Sequence, residues 1–223
     1  KIINKNTKSI ACIAEGPGGF IQCLKHYYKN NLLIYNKLFG ITLISKNNSI
    51  PYWNNTILND NSINILYGKD NTGDLYNINN INDYIDNIDK VNLITCDGGI
   101  DYSHDYNNQE KLSYKLLYSE IYLSLNIQNE GGNLVIKFFD ILHNKTIQLL
   151  FILCVVYEDI NIYKPDMSRD TNSEKYIICK GYKQNDNIIN ELRKHWDDPE
   201  KLSIEIPQDF YDSVYEYNLN YID

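Results

Sequence analysis

Three charged residues stand where apolar strands begin or end. Lys137 interrupts the run "NLVIKFF" (133–139), Asp97 follows "VNLITC" (91–96), and Glu174 begins the strand that continues as "KYIICKG" (175–181). A lysine inside a strand covered on both faces needs a partner, because an unpaired buried charge is costly. Asp97 can supply the counter-charge if the two strands are neighbours. Desolvation also lowers a lysine's pKa, which is how a lysine becomes a usable general base. An acid, a base and a second acid with no histidine or cysteine among them suit proton removal from a weakly acidic hydroxyl better than metal binding. The plainer alternative is that Lys137 snorkels to the rim and takes no part in chemistry. Of the four histidines, His26, His104, His143 and His195, none is spaced as a ligand pair.

A second constellation precedes these three in the chain. "AEGPGGF" (14–20) places Glu15, Gly16, Pro17, Gly18 and Gly19 between an apolar run and a helical stretch. Glycines let a backbone turn sharply and approach a ligand, and the N–H groups opening the following helix favour an anion such as a carboxylate. The spacing is not G-x-G-x-x-G, and a purely structural strand-to-helix turn would also call for glycines here. Asp74, in "TGDLYN", follows a third apolar run as Asp97 follows a fourth. Both lie where an open α/β sheet meets its ligand, although either alone reads more readily as a turn residue or helix cap.

The elements that must position these residues are legible in outline. Apolar, β-rich runs at 9–14, 41–45, 63–67, 91–96, 133–139, 160–164 and 175–181 predict seven strands. Helical spacing over 19–30, 80–89, 109–129 and 144–157 predicts four helices; the third carries Leu112, Leu116, Leu117, Glu120 and Ile121 on a face broad enough to cover a sheet. Strand and helix alternate, so the expected class is α/β with a mostly parallel sheet and helices on both faces. Only "PDMSRDTNS" separates the last two strands, too little for a crossover helix, so the seventh should run antiparallel to the sixth. That reversal brings Glu174 to the same edge as Asp97 and Lys137. Residues 70–90 read as an asparagine-rich loop entering a helix, with a flexible insertion as the alternative. The pattern contains no internal repeat and no disordered linker.

The 223 residues predict one domain, 1–183, with an acidic extension over 184–223. The formal charge of −8 is concentrated in that extension, where ten acids face three bases, so the rest of the chain is nearly balanced and can still face RNA. No apolar stretch reaches the length of a membrane helix, and no membrane partner is expected. "KIINKNTKSI" lacks an initiator methionine and a signal-peptide pattern, so the sequence reads as an excised piece of an intracellular protein. Cys12, Cys23, Cys96, Cys154 and Cys179 are odd in number, scattered and never paired as C-x-x-C, which predicts reduced, buried thiols. Heavy use of Asn, Ile, Lys and Tyr suggests an AT-rich genome. "HWDDPEKLSIEIPQDF" in the extension reads either as a helix and strand packed on the core or as a dock for another domain.

Taken in order, "AEGPGGF", "FGITL", "GDLYN", "TCDGGID", "EGGNLVIKFFDI" and "IYKPDMSRDTNSEKYIICKGY" resemble the FtsJ-like ribose 2′-O-methyltransferases, and among them the eukaryotic and viral mRNA cap enzymes. The resemblance runs from about residue 9 to 183. It implies a Rossmann-like methyltransferase fold and S-adenosyl-L-methionine as cofactor, with Glu15, Gly16, Pro17, Gly18, Gly19, Asp74 and Asp97 as its contacts. It also implies that Asp97, Lys137 and Glu174 match the last three members of a Lys-Asp-Lys-Glu catalytic signature. Lys137 would then deprotonate the ribose 2′-OH, with no metal required. The signature's first lysine belongs to a helix upstream of the glycine turn, and none of Lys1, Lys5 and Lys8 suits that place. Capped mRNA is the implied partner, alongside other capping-enzyme domains or subunits, with Tyr163, Lys164, Arg169 and Lys175 flanking the RNA path. The compartment would be host cytoplasm for a large DNA virus and otherwise nucleus or cytoplasm. Two alternatives stay open: a non-catalytic RNA-binding or scaffold module within a larger capping protein, and an enzyme acting on ribosomal RNA.

Overall fold

Alternation in the first strand divides the molecule into two apolar layers. In β1 (Ser9–Ile13), Ile10 and Cys12 point to one core cluster while Ala11 and Ile13 point to the other. A strand buried on both faces in this way belongs at the centre of a sheet. The computed structural model describes residues 1–45, 50–99, 108–166, 168 and 172–220.

β1 is central, with parallel neighbours on both sides: β2 (Lys37–Ile41), flanked by β3 (Asn64–Leu66), and β4 (Val91–Cys96), flanked by β5 (Gln128–Phe138). Beyond β5 come β7 (Lys175–Tyr182) and then β6 (Tyr157–Tyr163). β7 runs antiparallel to both of its neighbours, as the short connection requires. The chain order reverses between β1 and β4, so the crevice outside their carboxyl ends is the place where such a sheet takes a ligand.

The first core layer is closed by α1 (Gly19–Asn30) and the short α2 (Asn55–Leu58), through Ile21, Leu24, Tyr28 and Ile57. The other lies under α3 (Ile78–Asn87), α4 (Gln109–Ile127) and α5 (Asn144–Val156). Over residues 184–220 the chain adds α6 (Asp186–Lys194), a 3-10 turn (Pro199–Lys201) and α7 (Gln208–Leu219). Leu192, Trp196, Leu202 and Val214 from this part join the second core layer. Among the described residues of the "HWDDPEKLSIEIPQDF" stretch there is no strand; it packs on the core through turns and helix.

Two expectations need correction. β2 occupies 37–41 rather than 41–45, because pairing with β1 ends at Ile13 opposite Ile41. From Thr42 the chain turns out of the sheet, and the Ile44 N–H donates to the Thr72 carbonyl at 2.6 Å. The five cysteines are free, as expected, but Cys23 and Cys154 lie exposed on the outer faces of α1 and α5.

Candidate active site

Strand register brings the three charged residues to one edge. Cys96 pairs with Ile136, so Asp97 and Lys137, each one residue further on, come level at the ends of β4 and β5. The Lys137 Nζ lies 3.1 Å from Asp97 Oδ1 and donates to the Asp97 carbonyl at 2.9 Å. Its side chain is only 13% exposed, so this pairing is what offsets the burial of its charge. It also stands 5.9 Å from the centre of the Phe139 ring, just past the end of β5. Antiparallel pairing sets Tyr176 opposite Lys137, and the Tyr176 hydroxyl donates to Asp97 Oδ1 at 2.7 Å. Burial and the negative charges of Asp97 and Glu174 hold the Tyr176 phenol far above its usual pKa, so it stays a donor. Glu174 thus reaches the pair through Tyr176 rather than by a direct ion pair with Lys137. Its own backbone N–H donates to Asn172 Oδ1 at 2.9 Å.

Beneath this edge lies a carboxyl group of α4. Glu120 is 1% exposed, and its Oε1 accepts from the Gly98 N–H at 3.0 Å. Burial, opposed by the charge of Lys137 and the bond from Gly98, raises its pKa to about 8. Neither Glu120 nor Tyr176 is assigned a role by motif reading. A signal for each exists: Glu120 is an acid inside an apolar helix face, and Tyr176 follows Glu174 by two residues at the start of the last strand.

A cleft of about 590 Å³ opens beside the pair. Gly16, Asp74, Asp97 and Lys137 line it together with the apolar or aromatic Leu43, Ile50, Leu75 and Tyr76. A Cβ on Gly16 would come within 2.5 Å of the Pro51 carbonyl oxygen and 2.8 Å of Thr42 Oγ1, so only glycine fits this wall. Asp74 Oδ1 accepts from the Tyr76 N–H at 2.8 Å, which fixes the carboxylate in a tight turn while it lines the cleft. Cleft size and an apolar wall facing a few placed polar groups match a small-molecule site.

A profile of FtsJ-like methyltransferases matches residues 1–182. The chain belongs to the FtsJ-like methyltransferase family. It is 32% identical over 189 residues to the cap-specific mRNA (nucleoside-2′-O-)-methyltransferase of Autographa californica nuclear polyhedrosis virus, covering 83% of this chain and 70% of that one. It is 29% identical over 196 residues to cap-specific mRNA (nucleoside-2′-O-)-methyltransferase 2 of Danio rerio, covering 79% of this chain. The chain spans only about a quarter of that zebrafish protein, whose matched share is 25%. A crystal structure described as a ribosomal RNA methyltransferase from Plasmodium falciparum superposes with a TM-score of 0.58 at 21% identity, over 82% of this chain and 90% of that one, which shows the shared fold.

Within this FtsJ-like domain several residues of the glycine turn make contacts of their own. Glu15 is 2% exposed and lies outside the cleft lining; its Oε1 accepts from the Ile21 N–H at 3.1 Å in the first turn of α1. A carboxyl group of the protein's own thus stands at that helix start, and burial raises its pKa to about 7. Pro17, Gly18 and Gly19 also stand outside the lining, and Gly18, at φ 111°, makes the turn onto α1. Lys175 is 5% exposed and donates inward to the Phe139 carbonyl at 2.9 Å, so it does not face an approaching strand of RNA. Lys164 donates to the carbonyls of Asn172 and Glu174, bracing the loop that carries Glu174. Tyr163 remains open to solvent. Arg169 lies outside the described residues.

Proposed function

We propose that this chain transfers a methyl group from S-adenosyl-L-methionine to a ribose 2′-oxygen of RNA, at the first transcribed nucleotide of a capped messenger. The observation that carries this reading is the Lys137 amine held against Asp97 at the wall of the cleft. The residues present fit the cofactor: the carboxylates of Asp74 and Asp97 complement a cationic amino-acid and sulfonium end, and Leu43, Leu75 and Tyr76 offer an apolar wall for a flat base. When bound, the cofactor supplies an electrophilic methyl group on a positively charged sulfur.

Lys137 accepts the proton of the 2′-hydroxyl, which leaves the oxygen free to attack. Asp97 fixes the Lys137 Nζ through both its carboxylate and its backbone carbonyl, so the amine cannot swing away from the reacting hydroxyl. Tyr176 holds Asp97 in that position, and Glu174 acts on Tyr176. Relatives named as cap-specific mRNA 2′-O-methyltransferases support the choice of a capped substrate.

The test is methyl transfer from labelled cofactor to capped and uncapped RNAs of one sequence, using the protein that carries this chain. Label on the first-nucleotide 2′-oxygen of the capped RNA alone is expected. Replacing Lys137 by alanine should lower the rate about 10²- to 10⁴-fold. Equal labelling of both RNAs would remove the cap from the proposal, and near-normal turnover by the variant would remove Lys137 as the base.

A further inference from the structure

Glu110 and Glu120 are both buried on α4, yet only one has an ordinary structural explanation. Glu110 Oε1 accepts from the backbone N–H groups of Leu142 at 2.9 Å and His143 at 2.8 Å, which ties down the entry to α5. Glu120 instead accepts from Gly98, the residue after Asp97, and shares with Lys137 the lining of a small cavity of about 10 Å³. That cavity is also bordered by Glu110, Ser113 and Thr146. The fit to Gly98 is close: a Cβ there would lie 2.4 Å from Glu120 Oε1. On the other side of the same turn, a Cβ on Gly99 would lie 3.4 Å from Lys137 Nζ. Asp97-Gly98-Gly99 is therefore clamped between the carboxyl group of Glu120 and the amine of Lys137. A glutamine or a serine could cap one N–H without the cost of burying an ionisable group, so the acid calls for a further reason.

We propose that Glu120 is a positioning residue for methyl transfer: its carboxyl group clamps the Asp97-Gly98-Gly99 turn and so fixes the place of the Lys137 amine that Asp97 holds. The inference rests on the reading of Lys137 as the base. The charged and titratable groups that face Glu120 are Lys137 from β5, Asp97 and Cys96 from the end of β4, and Glu110 across the cavity. The Glu120 carboxyl group is protonated below pH about 8 and ionised above it, so the charge beside Lys137 changes within the range in which methyl transfer is measured. An effect of Glu120 on the turn and the amine must therefore appear as a pH dependence of the rate that a non-ionising side chain at this position lacks.

The experiment compares wild type, Glu120→Gln, Glu120→Asp and Lys137→Ala in rate-against-pH profiles and in melting temperature between pH 5 and 9 without cofactor or RNA. Glu120→Gln keeps an acceptor for Gly98 but cannot ionise, so its rate profile should lose the component with a midpoint at about pH 8. Its melting temperature should also lose part of the wild-type fall across that pH range. Glu120→Asp keeps the charge on a shorter arm, so it should hold the wild-type midpoint while losing up to about 10²-fold in kcat. If Lys137→Ala is inactive while both Glu120 variants keep the wild-type rate, midpoint and melting curve, Glu120 is only a helix-to-strand contact and the inference is overturned. An active Lys137→Ala would overturn the catalytic reading first, and the inference with it.

Discussion

Glu15 and Glu120 are each almost wholly removed from water, and each accepts a backbone N–H that a carboxyl oxygen can receive in either protonation state. Burial raises their pKa values to about 7 and about 8, against an ordinary 4.5. A carboxyl group whose folded-state pKa is raised binds its proton more tightly in the folded chain than in the unfolded one. The stability it contributes is complete below its unfolded pKa and is lost as pH rises through the folded value. Thermal melts at pH 5, 6.5 and 8.5 should therefore show a falling melting temperature, and a double Glu15→Gln, Glu120→Gln variant should show a flatter one. A melting temperature that rises across this window in the wild type would contradict both assignments. Tyr176 gives a second prediction at this scale. Its hydroxyl donates to an ionised Asp97, a type of bond worth about 1.5–3 kcal/mol. Tyr176→Phe should keep the fold, by circular dichroism, and lose about 10- to 100-fold in kcat/KM because Asp97 is no longer held against Lys137.

The clamp on the turn after β4 is made by an element, because α4 has to lie at one height above the sheet for Glu120 to meet Gly98. Leu116, one turn earlier on α4, would stand 2.8 Å from a Cβ at that position. Gly98→Ala should thus destabilise the fold by about 1–3 kcal/mol, in the range of other overpacked sites. Adding Glu120→Ala should recover part of that loss, so a double-mutant cycle by urea unfolding should be clearly non-additive. Additive costs would mean that the helix shifts freely and holds nothing. How much of this was readable in advance depended on contrast. A lysine in an apolar strand and an aspartate after another stand out, and parallel register then brings them level. The β2 boundary did not stand out, because "LFGITLI" is apolar on both sides of Ile41 and pairing is ended by the length of β1. For Glu15 a sequence shows where a carboxylate sits in the chain but not which way it turns, and its Oε1 turns to the Ile21 N–H. Glu120 was visible within an apolar helix face, yet its meaning came only from the strand end packed beneath it.

For the whole molecule the decisive question is whether residues 184–220 belong to the folded unit. Their acidic composition suggests a solvated appendage, but hydrophobic spacing within α6 tells otherwise: Ile188, Ile189 and Leu192 share one face. Leu192 and Leu202 are fully buried, and Trp196 packs against Tyr122 at 5.2 Å and Tyr118 at 6.3 Å between ring centres. Polar contacts follow the same seam. Tyr114 donates to the Pro199 carbonyl at 2.9 Å, Tyr118 to that of Leu192, and Lys145 to that of Leu202 at 2.7 Å. Tyr114, Tyr118 and Tyr122 all stand on α4, the helix that carries Glu120, so this segment presses from outside on the element that holds the turn beside Lys137 from inside. Trp196→Ala should therefore cost about 3–5 kcal/mol, as for other large aromatic truncations in cores. Because α4 is shared, it should also lower methyl transfer at temperatures where the variant is still folded. Lys194→Ala serves as the control, since its side chain is 67% exposed and pairs with Glu191 on the surface of α6. A Trp196→Ala variant that melts with wild type would mean that this segment rides on the domain without supporting it, and α4 would then have to hold the active-site turn without help from residues 184–220.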